Sequence, residues 1–172
     1  GLFDIEDPNN KKDIDRLEEL YLKYHFKKSN LTFGKQLLNT PFINLQDGRM
    51  RPTEVEGLWA EINEIKKTRL ELGYLYGVSR RSTVKWYKGG ASVGRYPVGV
   101  NPDGSKSGYR DNLKSNGILV TGITHELTKD IKLQLWDLYA DNIFNSVMLQ
   151  ADYQYSLTKK SGLIAAVQVI RQ

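Results

Sequence analysis

Cysteine is absent from this chain of 172 residues. Its absence excludes disulfide bonds, thiolate catalysis and zinc sites built from cysteine. Long apolar runs are absent too. The stretch "LIAAV" from Leu163 is among the longest, far short of the roughly 20 residues that a membrane-spanning helix needs. Together with the mean hydropathy of −0.50, this excludes a helical membrane protein. A transmembrane β-barrel is not excluded, because only every second residue of its strands meets lipid.

Strong charge of one sign and chemical motifs are also missing. The formal net charge is +5, with acidic and basic residues mixed along the chain, so no nucleic-acid-binding arm is predicted. The stretch "GGASVG" from Gly89 lacks the lysine and hydroxyl residue that end a phosphate-binding loop. No nucleophile, base and orienting residue form a catalytic set, and we expect His25 and His125 on polar strand faces. We predict neither an enzyme nor a cofactor or metal site.

The first residues do not resemble a signal peptide. "GLFDIEDPNN" has neither a basic start nor an apolar stretch, and both are features of a secretory signal. We therefore expect either a cytosolic protein or a mature or internal piece of a longer chain.

What the chain does contain is alternation with a period of two. In "SVMLQADYQYS" from Ser146, one set of alternate residues is apolar or aromatic and the other is mostly polar. This pattern predicts a β-strand with one wet face and one apolar face. A soluble sandwich and one wall of a membrane barrel would both produce it. The apolar set is Val147, Leu149, Ala151, Tyr153 and Tyr155, and the polar set includes Gln150, Asp152 and Gln154.

The same alternation recurs and predicts about eight strands, an all-β chain. One strand is expected to start near Leu17, although "KKDIDRLEELYLKYHF" also has helical spacing. Further candidates are "GLWAEIN", "GILVTGITHE", "IKLQLWDLYA" and "LIAAVQVIRQ". In "TRLELGYLYGV", the expected apolar face comprises Leu70, Leu72, Tyr74, Tyr76 and Val78, opposite Arg69, Glu71, Gly73, Leu75 and Gly77.

The predicted connections alternate between short and long. "KKSN", "NEIKK", "LTKD" and "LTKKS" are short, whereas residues 38–55 and 79–115 are long. Tight turns at one end and long loops at the other are typical of an outer-membrane barrel, and a soluble domain with so long a structureless connection would be unusual. We therefore predict an antiparallel transmembrane β-barrel in which residues 79–115 form a long extracellular loop.

Aromatic residues and two charged residues at otherwise apolar positions bear on whether the apolar strand faces meet lipid. Tyr and Phe occur on the apolar parity towards both ends of several strands, as in the interfacial girdles of membrane barrels. Lys35 and Asp137 also fall on the apolar parity, where a charge facing lipid is costly. We expect Lys35 near the lipid boundary, and Asp137 at a β-bulge or at that boundary.

Two segments of the chain carry a distinctive order of residues. In "FGKQLLNTPFINLQDGRMRPTEVEGLW", a strand runs into a proline-containing loop, followed by an Asp-x-Arg element, a second proline and a glycine-led strand. The second segment contains the element "LQADY" from Leu149. Together the two segments resemble the OprD-type outer-membrane porins. The matching residues of the first segment are Gly34, Gln36, Pro41, Asp47, Arg49, Met50, Pro52 and Gly57.

The resemblance implies a porin in the bacterial outer membrane with about eighteen strands, of which this chain would supply fewer than half. An internal fragment or an incomplete chain is then expected. The family passes small solutes, often carboxylates or amino acids, by passive diffusion past basic side chains. Residues 38–55 become a candidate constriction loop with Arg49, Arg51 and Asp47. Lys23, Arg69, Glu71, Gln150 and Asp152 become candidate residues of the pore wall.

The remaining partners and alternatives stay open. The resemblance implies contact with lipid and lipopolysaccharide, as a monomer, a homotrimer or with accessory outer-membrane proteins. One alternative is another outer-membrane barrel whose loops carry an adhesive, enzymatic or assembly role. The other is a soluble antiparallel barrel that binds a ligand inside it.

Overall fold

A computed structural model describes residues 9–10, 15–45, 52–81, 85–89, 105, 114–158 and 161–172 of the chain. None of the helices in these ranges is both long and apolar enough to cross a membrane. The described part contains nine strands: β1 (Leu20–Phe26), β2 (Ser29–Gln36), β3 (Glu54–Ile62), β4 (Thr68–Ser79), β5 (Tyr87–Lys88), β6 (Ile118–Glu126), β7 (Ile131–Ala140), β8 (Phe144–Ser156) and β9 (Gly162–Arg171).

The strands form one antiparallel sheet, which confirms the predicted fold class. The order is β1-β2-β3-β4-β6-β7-β8-β9, and the two-residue β5 pairs with β4 off this path. Each long strand thus lies beside the next long strand of the chain, as in the up-and-down meander of a membrane barrel. The first strand begins at Leu20, three residues after the expected start at Leu17, and is not a helix.

In every long strand, the set of alternate residues that is mostly apolar lies on one face of the sheet, which we call the outer face. Residues paired across the sheet share a face, and the paired rows join Leu22 to Phe33 and Leu135 to Leu149. These side chains are largely exposed, and Leu22 is 78 % exposed. The predicted apolar set of β8 lies on this face, in register with residues such as Leu133, Leu135, Leu163, Val167 and Val169.

The opposite, inner face changes character along the strands. Towards the short turns it carries polar residues such as Glu61, Arg69 and Asp152. Towards the long loops it carries the buried hydrophobic cluster, which includes Leu75 and Leu138. In the candidate strand "GLWAEIN", Trp59 and Glu61 lie on the inner face, whereas Leu58 and Ala60 lie on the outer face.

A β-bulge in β4 changes the face on which the last residues of that strand lie. The register with β3 shifts between Glu56 and Gly57, so that Tyr76 is the extra residue of β4. Beyond it the parity reverses. Val78 pairs with Val55, on the inner face, rather than continuing the apolar face of Tyr74. At Asp137 the register is continuous, so the bulge, one of the two alternatives expected there, is wrong, and a position at the lipid boundary stays a prediction.

Both charged residues at otherwise apolar positions lie on the outer face. The ammonium group of Lys35 is 2.8 Å from a carboxylate oxygen of Glu56 and 4.0 Å from the ring centroid of Trp86, so this charge has an ion pair and a cation–π contact. Asp137 pairs with Thr121 and Val147. His125 is on the outer face too, with its ring nitrogen 2.8 Å from the Thr68 hydroxyl, which corrects the expected polar face.

The short turns are tight and contact one another. Lys27 lies in the two-residue connection between β1 and β2, and Lys67 ends the five-residue connection between β3 and β4. Their φ angles of 50° and 58° are in the left-handed region that tight reversals use. Glu64 accepts hydrogen bonds from the backbone nitrogen of Lys28 and the hydroxyl of Ser29. The backbone hydrogen bond from Lys28 lowers the pKa of Glu64. The first two hairpins are thereby joined at this end, which we call the short-turn end. The opposite end is the long-loop end.

Expressed alone in water, the 172 residues are expected to aggregate. In the described part, β1 pairs only with β2 and β9 only with β8, so both edges offer unpaired backbone groups to other chains. The outer face also exposes aromatic and aliphatic side chains from all long strands. Sedimentation of the purified chain with and without detergent checks this. A monodisperse 19.7 kDa monomer that unfolds cooperatively without detergent would contradict a membrane sheet.

Candidate pore site

Residues 37–45, which follow β2 and begin the predicted constriction loop, form a compact turn. The hydroxyl oxygen of Thr40 accepts hydrogen bonds from the backbone nitrogens of Phe42 and Ile43, at 3.3 and 2.9 Å. The backbone nitrogen of Thr40 donates to the carbonyl of Ile43 at 2.7 Å. Pro41 fits the second position of such a turn because its φ angle is already fixed near the required value. We call residues 37–45 the inward segment.

The inward segment packs on the inner face at the long-loop end. Leu38 is part of the buried cluster, and Phe42 and Ile43 pack against that cluster. Beneath them, Leu75 is 0 % exposed, although its parity had predicted a wet position. Because Phe42, Ile43 and Leu75 line one groove, the segment lies over the inner face of the wall and not out in solvent.

A groove of about 440 Å³ remains between the inward segment and the wall. Phe42, Ile43 and Asn44 form one side of it, and the long-loop ends of β3, β4, β6, β7 and β8 form the other. The lining is mostly apolar, with Arg80 and Arg81 directly after β4 as its cations. Sequence reasoning missed both arginines, because nothing in "SRRST" marks them as different from the other loop charges.

Two tryptophans lie flat on glycines across the inner face. A Cβ atom on Gly73 would be 2.4 Å from the ring of Trp59, and one on Gly122 would be 2.6 Å from the ring of Trp136. Both tryptophans belong to the buried cluster. Glycine at these two positions therefore lets each large ring lie against the wall instead of projecting from it.

Below the buried cluster, towards the short-turn end, Arg69 lies between two carboxylates. One of its guanidinium nitrogens is 2.8 Å from Glu71 and 3.2 Å from Glu61. Glu61 and Glu71 are direct partners across β3 and β4, where two like charges side by side would repel. Arg69 therefore offsets that repulsion, and its own charge is shared with two acids.

A second polar group lies on β7, β8 and β9. Asp152 accepts hydrogen bonds from the side-chain amides of Gln134 and Gln150, at 2.9 and 2.6 Å, and lies 3.5 Å from the ammonium group of Lys132. Gln150 in turn accepts a hydrogen bond from Gln168 at 2.8 Å. These side chains hydrogen-bond to one another and form what we call the polar wall. Their polar groups are thereby satisfied by partners within the wall.

The structure brings some of the predicted site residues together and separates others. Arg69 contacts Glu71, and Gln150 contacts Asp152, all on the inner face. Lys23 is on the same face but on β1, opposite Thr32. Asp47, Arg49 and Arg51 lie outside the described residues, and their roles stay predictions. Within the described ranges, no group of three or more His, Cys, Asp or Glu side chains could hold a metal ion.

A comparison with protein-family models identifies the family of this chain. The model for the outer membrane porins of the OprD family matches residues 4–172. This chain belongs to the OprD family. Its predicted location in the bacterial outer membrane follows from that membership. A search of curated protein sequences finds no significant match.

Solved structures agree with the family. Pseudomonas aeruginosa OccD3 (OpdP) superposes with a TM-score of 0.72 at 16 % identity, covering 90 % of this chain and 34 % of that one. Pseudomonas aeruginosa OccK7 (OpdD) gives 0.69 at 18 % identity, covering 88 % and 37 %. Acinetobacter baumannii OccAB3 gives 0.67 at 19 % identity, covering 86 % and 34 %. At these identities the likeness establishes the fold, and the chain spans about a third of the length of these relatives.

Proposed function

We propose that this chain forms part of an outer-membrane channel through which small solutes diffuse passively, with a preference for carboxylate-bearing or anionic ones. The observation that carries this proposal is the inward segment. Its residues lie on the inner face of the sheet, and a loop that continued from it across the channel would narrow the lumen. No bond is made or broken in such a channel, and no cofactor is needed.

Arg49 and Arg51 would supply the preference for anions. A guanidinium group is always charged and presents a planar fork that matches a carboxylate. Low-dielectric walls strengthen the attraction in a narrow pore, and binding has to stay weak enough for release. Asp47 would pair with one of the two arginines and fix its direction, which leaves the other for a passing solute.

The charges on the described wall support a selective role for the loop. Arg69 and Lys132 each lie beside acids on the inner face, so they give a passing anion little net attraction. A similar structure, Pseudomonas aeruginosa OpdK, was solved with vanillate, which carries a carboxylate. By this analogy we assign a carboxylate-bearing solute to the present chain as well.

Replacing both Arg49 and Arg51 with Gln in the full-length protein is expected to shift ion selectivity towards cations. The shift should be largest at low salt, where screening of the arginine charges is weakest. The reversal potential across a salt gradient in a planar bilayer measures it. Uptake of a small carboxylate into proteoliposomes should also slow, by about tenfold if one charge-assisted contact is lost, while uptake of a neutral sugar of equal size should not.

Lys66→Gln provides the control, because it removes one positive charge from a short turn at the opposite end of the strands. It should leave both readouts near those of the unmodified protein. If the double replacement changed neither the reversal potential nor the carboxylate uptake, the loop would not form the anion filter.

A further inference from the structure

The outer face of the sheet contains an apolar dent beside a polar atom that has no partner. We propose that this outer dent binds an acyl chain of a glycolipid whose chains carry amide and hydroxyl groups, as in the lipid A of the extracellular leaflet. Asp137 accepts a hydrogen bond from one of these groups. The site lies on the lipid-facing side of the wall, so it does not depend on the solute that the channel passes.

The outer dent exists because a short side chain lies among long ones. Thr121 pairs with Leu72 on one side and with Asp137 on the other. The next row towards the short turns carries the larger Ile123 and Leu135, which pair with each other. The space that remains is about 270 Å³, and its lining is apolar apart from Thr121 and Asp137. A flexible hydrocarbon chain is the part of a lipid that gains most contacts by filling such a space.

The chemistry of the lipid follows from Asp137. One of its carboxyl oxygens is buried and has no hydrogen-bond partner among the described residues, and the hydrocarbon of a bilayer holds no water to supply one. The carboxyl group turns about its terminal bond, so either oxygen can face the outer dent, which Asp137 lines. Protonated or ionised, it keeps an oxygen that accepts hydrogen bonds. Plain phospholipid chains carry no donor, whereas amide-linked hydroxyacyl chains carry both N–H and O–H groups.

The depth of the outer dent matches the same lipid. Asp137 lies three residues before Ala140, which ends β7 at the long-loop end. The next row towards the loops carries the exposed Tyr74 and Tyr139, as in the aromatic girdle at a membrane interface. Two residues along a tilted strand place Asp137 roughly 5 Å below that row. In lipid A the amide and hydroxyl groups lie at the start of the acyl chains, just below the sugars. Long loops are extracellular in such barrels, so the dent is in the leaflet that contains this lipid.

The test is a lipid titration of full-length protein in detergent micelles, with bound lipids counted by native mass spectrometry. Two probes are compared: monophosphoryl lipid A, and dimyristoyl phosphatidic acid, which has a phosphate but no donor on its chains. Lipid A should bind at least about tenfold more tightly than phosphatidic acid. Asp137→Leu should weaken the binding of lipid A about tenfold and leave that of phosphatidic acid unchanged. Asp137→Asn keeps an acceptor oxygen and should retain the binding of lipid A.

Two further variants separate the outer dent from the outer face in general. Thr121→Leu fills the dent without changing the carboxyl group, and it should weaken the binding of both lipids. His125→Leu removes a polar side chain of the same face at the short-turn end, and it should change neither affinity. Asp137→Leu is expected to fold, because it places an apolar side chain towards lipid, and heat-modified mobility in gels checks this before the titration.

Four results would overturn the inference. The first is equal affinity of the unmodified protein for lipid A and phosphatidic acid. The second and third are unchanged binding of lipid A in Asp137→Leu and in Thr121→Leu. The fourth is an equal loss in His125→Leu, which would mean that any polar group on the outer face has the same effect.

Discussion

Replacing Arg16 with Met in the full-length protein is expected to lower the free energy of unfolding by about 3–5 kcal/mol. Arg16 precedes β1, and its side chain is fully buried. It donates hydrogen bonds to the hydroxyl of Ser79 at 3.0 Å and to the carbonyl of Pro52 at 3.1 Å. It also pairs with Glu18. One side chain therefore joins the segment before β1 to the long-loop ends of β3 and β4.

The size of the expected effect comes from Glu54. This residue is 1 % exposed, and one of its carboxylate oxygens lies 3.5 Å from a guanidinium nitrogen of Arg16. Removing the arginine leaves the buried carboxyl group of Glu54, the hydroxyl of Ser79 and the carbonyl of Pro52 without this partner, and buried polar groups left unsatisfied cost more than the bonds themselves contribute. An exposed ion pair broken in the same way would cost at most about 1 kcal/mol.

A double-mutant comparison checks this explanation. Glu54→Gln alone should cost less than Arg16→Met, and Arg16→Met combined with Glu54→Gln should recover part of the loss, because the buried acid that faces the arginine is then absent. Unfolding by urea in lipid vesicles supplies the three free energies. If Arg16→Met cost less than about 1 kcal/mol, as exposed pairs do, the buried role of Arg16 would be wrong.

Gly122→Ala is expected to destabilise the folded protein by about 1–3 kcal/mol, the usual cost of overpacking, and to move Trp136 away from the wall. The added Cβ would lie 2.6 to 2.7 Å from three atoms of the indole ring, closer than any stable contact. The ring cannot move sideways without disturbing the buried cluster, so it is expected to turn into the lumen. Its fluorescence should shift to longer wavelength, and the single-channel conductance should fall.

Gly89→Ala is the matched control, because a Cβ there would meet its nearest neighbour, Ile118, at an ordinary 3.7 Å. It should change neither the fluorescence nor the conductance. Gly73→Ala provides a second version of the experiment through Trp59. Normal stability, fluorescence and conductance in both Gly122→Ala and Gly73→Ala would mean that the rings do not lie on these glycines.

The strands of this fold could be predicted well, because a sheet with one lipid-facing side imposes a period of two that tertiary contacts do not override. Leu149 and Gln150 lie on opposite faces of β8, as predicted. Lys35 and Asp137 also lie on the parity assigned to them. The bulge could not be predicted, because "YLYGV" continues the alternation through Tyr76, while the inserted residue is visible only from the partners on β3.

The candidate site was harder to predict than the strands. The wet parity predicts that Leu75 faces the lumen, but not that Phe42 and Ile43 cover it. Such coverage depends on how a loop returns to the sheet, and local spacing does not encode it. Arg16 and Arg81 were missed for the same reason. Apart from Glu18, the partners of Arg16 run from Pro52 to Arg80, 36 to 64 residues away along the chain.

The accessibility of spin labels along β8 in full-length protein, reconstituted in lipid vesicles, tests the central claim most directly. That claim is that the apolar parity faces lipid and the polar parity faces a water-filled lumen. Labels at Leu149 and Ala151 should relax faster with a lipid-soluble relaxation agent. Labels at Gln150 and Asp152 should relax faster with a water-soluble agent. The ratio of the two relaxation enhancements should therefore alternate along the strand with a period of two. A constant ratio along β8, or alternation of the opposite sign, would contradict a porin wall.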